Sequence, residues 1–238
     1  MRSIKTIVLP SVKKLLDRVY VVVPALNEEK RIGSLVAQLE EKGFTHIIVV
    51  NDGSDDDTPQ LFEYNPNVTV INHLINLGPG ASTMTGIEHA VKQKAEYIAT
   101  IDADLQHHPE DLVKIVAEIH QKDLDLVIGS RFLTENTIPT IRILYNIVGN
   151  WISWMKTGLR LSDSQSGLKV MSRSFAQKLA IDYNGFEFCI DIIKKAKLQR
   201  VNVGESAVGV TYTKETMEKG QSFSNGLMML GRLMNPFS

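Results

Sequence analysis

In Tyr97-Ile98-Ala99-Thr100-Ile101-Asp102-Ala103-Asp104 a short run of strand character ends abruptly in two carboxylates separated by one small residue. Pro109 then opens a helix that carries Leu112, Ile115, Val116 and Ile119 at helical spacing, with proline at a favoured early position. A strand, a polar turn and an amphipathic helix make up half of a parallel crossover unit, and the same alternation extends in both directions.

Upstream, Val19 to Val23 is a β-branched run ending at Pro24, as a buried parallel strand would read. Ile32, Leu35, Val36 and Leu39 follow at helical spacing, with Asn27 as the expected N-cap and Gly43 closing the segment. His46 to Val50 is a second strand, Thr58 to Tyr64 a short helix and Val68 to Ile71 a third strand. A helix is expected from about Gly80 to Lys94, then the Tyr97 strand, and downstream a fifth strand at Leu124 to Ile128. This alternation predicts an α/β fold, a mostly parallel sheet flanked by helices on both faces. Such sheets bind ligands beyond the carboxyl ends of their strands. The polar clusters fall at those ends: Pro24 to Glu28, Asp52 to Asp57, Asp102 to Asp104, and Gly129 to Arg131.

The second half reads differently. Leu144, Ile147, Val148, Trp151, Ile152, Met155 and Leu159 form a broad helical stripe, set off from Asn146, Asn150, Ser153 and Lys156. A polar turn, Ser162 to Gly167, leads into a mixed segment ending near Val210. Ser11 to Arg18 and Phe223 to Phe237 both read as amphipathic helices. The expected division is an N-terminal segment 1–18, a main domain 19–212 and a C-terminal amphipathic tail 213–238.

Composition narrows the class. The chain has 238 residues, 43% hydrophobic and 22% charged, with a formal net charge of −1. That balance fits a globular domain and gives no global reason to expect nucleic-acid binding. A single cysteine, Cys189, forms no internal disulfide, and no secretory signal stands at the N-terminus, so a cytoplasmic setting is expected. No stretch reaches the roughly 18 apolar residues of a spanning helix.

Three constellations carry chemistry. Asp102 and Asp104 can converge on a hard cation that also holds phosphate oxygens, with Gln106 near enough to join them. A lone Asp-x-Asp is equally what a solvated loop carries; its place at a strand's carboxyl end favours the cation. Asn51-Asp52-Gly53-Ser54-Asp55-Asp56-Asp57-Thr58 offers a tight turn at Gly53 and carboxylates that can cap a helix or read a base or ribose. Pro24-Ala25-Leu26-Asn27-Glu28-Glu29, taken alone, is a strand end and a helix start.

In this order, and with Asn76-Leu77-Gly78-Pro79-Gly80, Asp102-Ala103-Asp104-Leu105-Gln106-His107-His108-Pro109-Glu110, Gly129-Ser130-Arg131-Phe132 and Asp163-Ser164-Gln165-Ser166-Gly167-Leu168, the chain resembles glycosyltransferase family two. The likeness runs from about Val19 to Tyr212 and is nearest to the polyprenyl-phosphate sugar transferases of the dolichol-phosphate mannose synthase branch. The resemblance implies the GT-A fold, a Rossmann-like version of the sheet above, with a nucleotide-binding half 19–131 and an acceptor half 132–212. It implies that Pro24, Ala25, Asn27, Glu28, Asp52, Gly80, Asp102 and Ala103 bind the nucleotide. It further implies that Asp104, with Asp102 and Gln106, ligates Mg²⁺ or Mn²⁺. Arg131 would contact the diphosphate or the acceptor phosphate, and Asp163 would be the catalytic carboxylate. Two positions depart from the pattern: Pro79 stands where a basic residue is frequent, and Leu168 where Phe is usual. Lys214 and Lys219 lie where related chains carry a phosphate-binding residue.

The implied reaction is an inverting transfer of a sugar from a GDP- or UDP-sugar donor to an acceptor, foremost a polyprenyl or dolichyl phosphate. A lipid phosphate is already ionised at neutral pH, so Asp163 would orient; for a saccharide hydroxyl, the alternative acceptor, Asp163 would be the base. The Leu144 to Leu159 stripe, with Trp151 and Trp154, would rest at the cytoplasmic face of a membrane or line a lipid groove. An assignment of equal weight is packing on the sheet or a homodimer contact. A haloacid-dehalogenase phosphatase would carry its Asp-x-Asp in the first strand motif. A nucleotidyltransferase would want a Gly-rich, Arg-containing first loop, and a dehydrogenase its Gly-x-Gly-x-x-Gly turn. A non-catalytic nucleotide-sugar-binding module would be expected to have lost the carboxylate pair, which is intact.

Overall fold

A computed structural model describes residues 10–212. The tail 213–238, with its expected helix and with Lys214 and Lys219, lies outside the described residues.

Seven strands form one sheet: β1 (Val19–Ala25), β2 (Ile47–Asn51), β3 (Val68–Asn72), β4 (Tyr97–Thr100), β5 (Leu126–Ser130), β6 (Lys169–Ser172) and β7 (Val203–Ala207). Their order is β3-β2-β1-β4-β6-β5-β7, and β6 alone runs against its neighbours. The expected mostly parallel α/β sheet is therefore present, with one reversed strand inside it. β6 and β7 fall in the stretch whose periodicity reads as mixed. Lys169-Val170-Met171-Ser172 is too short and too central to alternate, since its first three residues are buried.

Helices cover both faces. On one, α1 (Pro10–Leu16), α2 (Ile32–Lys42) and α4 (Pro109–Gln121) bury Leu16, Leu35, Leu39, Ile115 and Ile119 against Val21, Val23 and Val170. On the other, α3 (Pro79–Lys92), α6 (Arg173–Ala176) and α7 (Phe188–Gln199) bury Ile87, Phe175, Ile192 and Ile193 against Val22, Ile48 and Ile128. α3 and α4 each begin at a proline, whose missing N–H is no loss in a first turn.

Two expectations are corrected. Asn27 does not cap α2, which starts at Ile32; Asn27 instead takes a left-handed conformation, φ 54°, in the preceding loop. The segment Thr58 to Tyr64 forms only a 3₁₀ turn, Gln60–Phe62, with Thr58 Oγ1 accepting from Glu28 N–H of the neighbouring loop. Packing on the sheet, one of the two assignments left open for the apolar stripe of α5 (Thr140–Thr157), is set aside for most of its residues, although Ile152 is buried against Ile190. Leu144, Ile147, Trp151 and Met155 are each more than half exposed, while Asn146, Ser153 and Thr157 are buried.

Candidate functional site

Because β6 is antiparallel, its amino end lies at the sheet edge where β1, β2, β4 and β5 end. Thr100 pairs with Lys169, so continuing the register sets Asp102 opposite Gly167. A cleft of about 480 Å³ opens along that edge, lined by Pro24, Ala25, Glu28, Asp52, Asp102, Ala103, Asp104, Gln106 and Arg131 among others.

The loops after β1 and β2 are stitched together. Asn27 N–H donates to Ser54 Oγ (3.0 Å), Asp55 N–H to Asn27 Oδ1 (3.0 Å), and Glu28 N–H to Thr58 Oγ1 (3.0 Å). Glu28 is gripped by Arg31, Nη2 to Oε2 at 2.6 Å. Asp52 Oδ1 accepts from His73 Nδ1 (2.8 Å) and Leu77 N–H (3.0 Å), and Oδ2 from Gly78 N–H (2.8 Å). Burial acts to raise its pKa, but these bonds outweigh burial and hold the carboxyl below its usual range. His73 Nε2 meets Thr85 Oγ1 at 3.0 Å, so the ring is held at both nitrogens. Asp52 thus shapes the turn before α3.

At the floor of the cleft, Asp104 Oδ1 accepts Gln106 N–H (3.0 Å) across Leu105, whose φ of 63° closes the turn. Asp102 lies flat against Gly167, where any Cβ would collide with its carboxylate. Withdrawal from water and the charge of Asp104 push Asp102 up to about 6, against the pull of Lys169 and Arg131. Asp104 is raised too, first by desolvation. Two carboxylates that repel one another in a shielded cleft are a good fit for a divalent cation, which would relieve both costs. Among the described residues no group of three or more His, Cys, Asp and Glu side chains stands together. A cation held by Asp102, Asp104 and the Gln106 amide would need water or phosphate oxygens to complete its shell, as Mg²⁺ and Mn²⁺ commonly do.

Lys169, fully buried, donates to the Ser166 carbonyl and to Cys189 Sγ (3.4 Å), with its ammonium 5.7 Å from the Phe188 ring centre. At the far wall Arg131 grips Asp163 with Nε to Oδ2 at 2.6 Å and Nη2 to Oδ1 at 2.7 Å. Burial works to lower the Arg131 pKa, but the Asp163 carboxylate outweighs it and the guanidinium stays charged. Arg142, from α5, also lines the cleft, and its guanidinium lies over the Tyr212 ring at 5.5 Å.

Nine of the expected site residues face the cleft; Asn27, Gly80 and Asp163 do not. Asn27 belongs to the loop stitching. Gly80 N–H donates to the Asn184 carbonyl (2.7 Å), and a Cβ there would strike the Tyr183 carbonyl, so the glycine serves close packing. Asp163 is fully buried behind Arg131.

The family model for glycosyl transferase family 2 matches residues 20–180. The chain belongs to that family. Among family relatives, the UDP-N-acetylglucosamine–dolichyl-phosphate N-acetylglucosaminyltransferase of Methanococcus voltae is 30% identical over 91% of this chain and 94% of its own length. The polyprenol monophosphomannose synthase of Mycolicibacterium smegmatis is 28% identical over 91% of this chain and 84% of its own. The glucosyl-3-phosphoglycerate synthase of Mycobacterium tuberculosis, solved with Mn²⁺, UDP-glucose and phosphoglyceric acid, shares the GT-A fold. Its TM-score is 0.66 at 19% identity, covering 94% of this chain and 84% of that one. A family 2 glycosyltransferase is an enzyme, which sets aside the phosphatase, nucleotidyltransferase, dehydrogenase and binding-module readings.

Arg31, Arg142 and Lys169 escape the sequence reading. Arg31 ends the charged run Glu28-Glu29-Lys30-Arg31, while Arg142 and Lys169 stand in apolar or mixed stretches, and only the folded chain brings the three beside the two aspartates. A lysine directly after Ser-Gly-Leu, entering a strand, was the one available signal.

Proposed function

We propose that this glycosyltransferase moves a sugar from a nucleotide-sugar donor to a polyprenyl phosphate, with inversion, using Mg²⁺ or Mn²⁺ at Asp102, Asp104 and Gln106. The observation that carries the reading is the pairing of two guanidiniums, Arg131 and Arg142, at the cleft wall with a carboxylate, Asp163, that is turned away from the cleft. An acceptor hydroxyl needs a base within reach; an acceptor phosphate needs positive charge and no base. Of the cleft carboxylates, Glu28 is held by Arg31, and Asp52 by His73 and backbone N–H groups. This distribution favours the ionised acceptor, and the relatives named above act on dolichyl phosphate and form polyprenol monophosphomannose by name.

In this reading Pro24, Ala25, Glu28 and Asp52 border the nucleoside, and Asp102 and Ala103 its ribose. The cation, when bound, neutralises charge developing on the leaving diphosphate. Asp104 and Gln106 orient it, Arg31 adds positive potential nearby, and Arg131 holds the incoming phosphate with a planar donor fork fixed by Asp163. Gly80 and Asn27 act through the loops they fasten. The exposed face of α5 is the peripheral membrane contact: Trp151 and Met155 project from it, and Arg160 lies 5.0 Å over the Trp154 ring. Among the described residues no helix is long and apolar enough to cross a membrane.

The test is incubation with UDP- and GDP-sugars, Mn²⁺ and a polyprenyl phosphate, read as nucleoside diphosphate and glycolipid. Transfer to a saccharide hydroxyl, with none to the lipid phosphate, would replace this reading with the hydroxyl alternative.

A further inference from the structure

α5 turns much of its polar side inward. An amphipathic helix on a globular domain ordinarily buries its apolar stripe, yet α5 buries Asn146, Ser153 and Thr157 beside Ile152 and leaves Ile147 and Trp151 outside. Buried amides persist where their hydrogen bonds are made, and those of α5 are made in one direction. Asn150 Nδ2 donates to Asn146 Oδ1 (2.8 Å) and to the Ser162 carbonyl (2.6 Å), while its Oδ1 accepts from Ser164 N–H (2.9 Å) and Oγ (2.7 Å). Asn146 Nδ2 then donates to Asp163 Oδ1 at 3.0 Å. Between them Gly149 lets the helix approach the turn so closely that a Cβ would overlap the Gln165 amide.

Asp163 consequently accepts four bonds: Arg131 N–H (3.1 Å) and Nε at Oδ2, and Arg131 Nη2 with Asn146 Nδ2 at Oδ1. A carboxylate has about four acceptor positions, so this one is saturated and its plane is fixed. The guanidinium plane, matched to it edge-on, is fixed in turn. From the other side Glu205 Oε1 accepts from Ser162 N–H (2.8 Å) and Oγ (2.7 Å), anchoring the turn to β7.

We propose that Asn146 and Asn150 are positioning residues: a two-rung amide ladder that orients Arg131 through Asp163 and makes the pose of α5 part of the phosphate site. The role rests on the function assigned to Arg131 above. Removing a rung leaves the nucleotide side intact, since neither amide touches Pro24, Asp52 or Asp104. Asn146→Leu, with the same branching but neither donor nor acceptor, is expected to lower kcat about 10- to 100-fold, with KM for the nucleotide sugar and the affinity for nucleoside diphosphate unchanged.

The deciding experiment is a double-mutant cycle with Arg131→Lys, which loses the planar fork. If Asn146 acts through Arg131, adding Asn146→Leu to Arg131→Lys costs less than about twofold; losses that multiply overturn the proposal. A second measurement is independent of turnover: phenylglyoxal modification of Arg131, followed by peptide mass, with Arg31 as internal control. Asn146→Leu is expected to speed modification of Arg131 several-fold and leave Arg31 unchanged. Equal acceleration of both arginines, or of neither, overturns the ladder. Should Asn146→Leu fail to fold, Asn150→Ser in the same two measurements carries the test, with the same signs. A wild type without transfer to lipid phosphate overturns the reaction assigned to the site but leaves the phenylglyoxal result to judge the ladder.

Discussion

Arg131 and Asp163 meet edge-on through two parallel bonds of 2.6 and 2.7 Å, the guanidinium facing the cleft and the carboxylate fully buried behind it. Under the proposed function, a pair arranged in this way makes Asp163 the support and Arg131 the working end. Asp163→Asn keeps the shape but leaves a mostly buried guanidinium without its counter-charge. Breaking such a pair costs roughly 3 kcal/mol or more. Denaturant unfolding should show a loss of that order, and transfer should fall at least 100-fold, about 2.7 kcal/mol of barrier.

Gly167 faces Asp102 across the β4–β6 register, and a methyl group there would occupy the position of the carboxylate. Gly167→Ala should therefore displace Asp102 while leaving the sheet paired. Circular dichroism should remain native, and nucleoside diphosphate binding in the presence of Mn²⁺, measured by calorimetry, should weaken at least tenfold.

Much of this was legible in the sequence, and its gaps have physical causes. β1, β2 and β4 announce themselves as short β-branched runs, and the acids at their ends mark the sheet edge that bears the cleft. β6 was hidden because Lys169, a lysine with its charge buried at the strand's first position, reads as a surface residue. The periodicity of α5 is legible in the sequence but its facing is not, since a stripe of apolar residues does not say whether the core or a partner lies beside it. Asp163 was marked by its motif, but only packing shows that Arg131 stands between it and the cleft. Arg142 gave no sign, because nothing local to α5 tells that its first turn overhangs the aspartates.

Cation binding has a structural readout. Ligand that binds only the folded state raises stability by about 2.7 kcal/mol at 100-fold excess over Kd. Mn²⁺ with nucleoside diphosphate should raise the melting temperature of the wild type, and chelation should reverse the rise. Asp104→Asn should keep the unliganded melting temperature within a few degrees and lose the Mn²⁺-dependent increment.

Asp52 sets an acid limit. Its carboxyl is held below the usual range in the fold, so its stabilising contribution is complete above the unfolded pKa, near 4, and is lost as pH falls through the lower folded value. The stability difference between wild type and Asp52→Asn should be constant from pH 5 to 7 and shrink below about pH 4. A difference that grows on acidification would contradict the hydrogen-bonding role given to Asp52.

The outward face of α5 yields a separable phenotype. Trp151→Glu alters a residue 55% exposed, so folding should be unaffected. Flotation with vesicles containing acidic lipid should recover the wild type and lose the variant. Wild type that stays in solution as a stable dimer would assign this face to a second copy of the chain instead.

The central claim is that the acceptor is a phosphate, met by Arg131 and Arg142 without a base. The most direct measurement offers the enzyme two lipids of one chain length, a polyprenyl phosphate and the matching polyprenol, with labelled nucleotide sugar and Mn²⁺. The expected result is labelled glycolipid from the phosphate alone, with none from Asp104→Asn. Label on the free alcohol at a comparable rate would show that a hydroxyl is activated in this cleft, and would contradict the account.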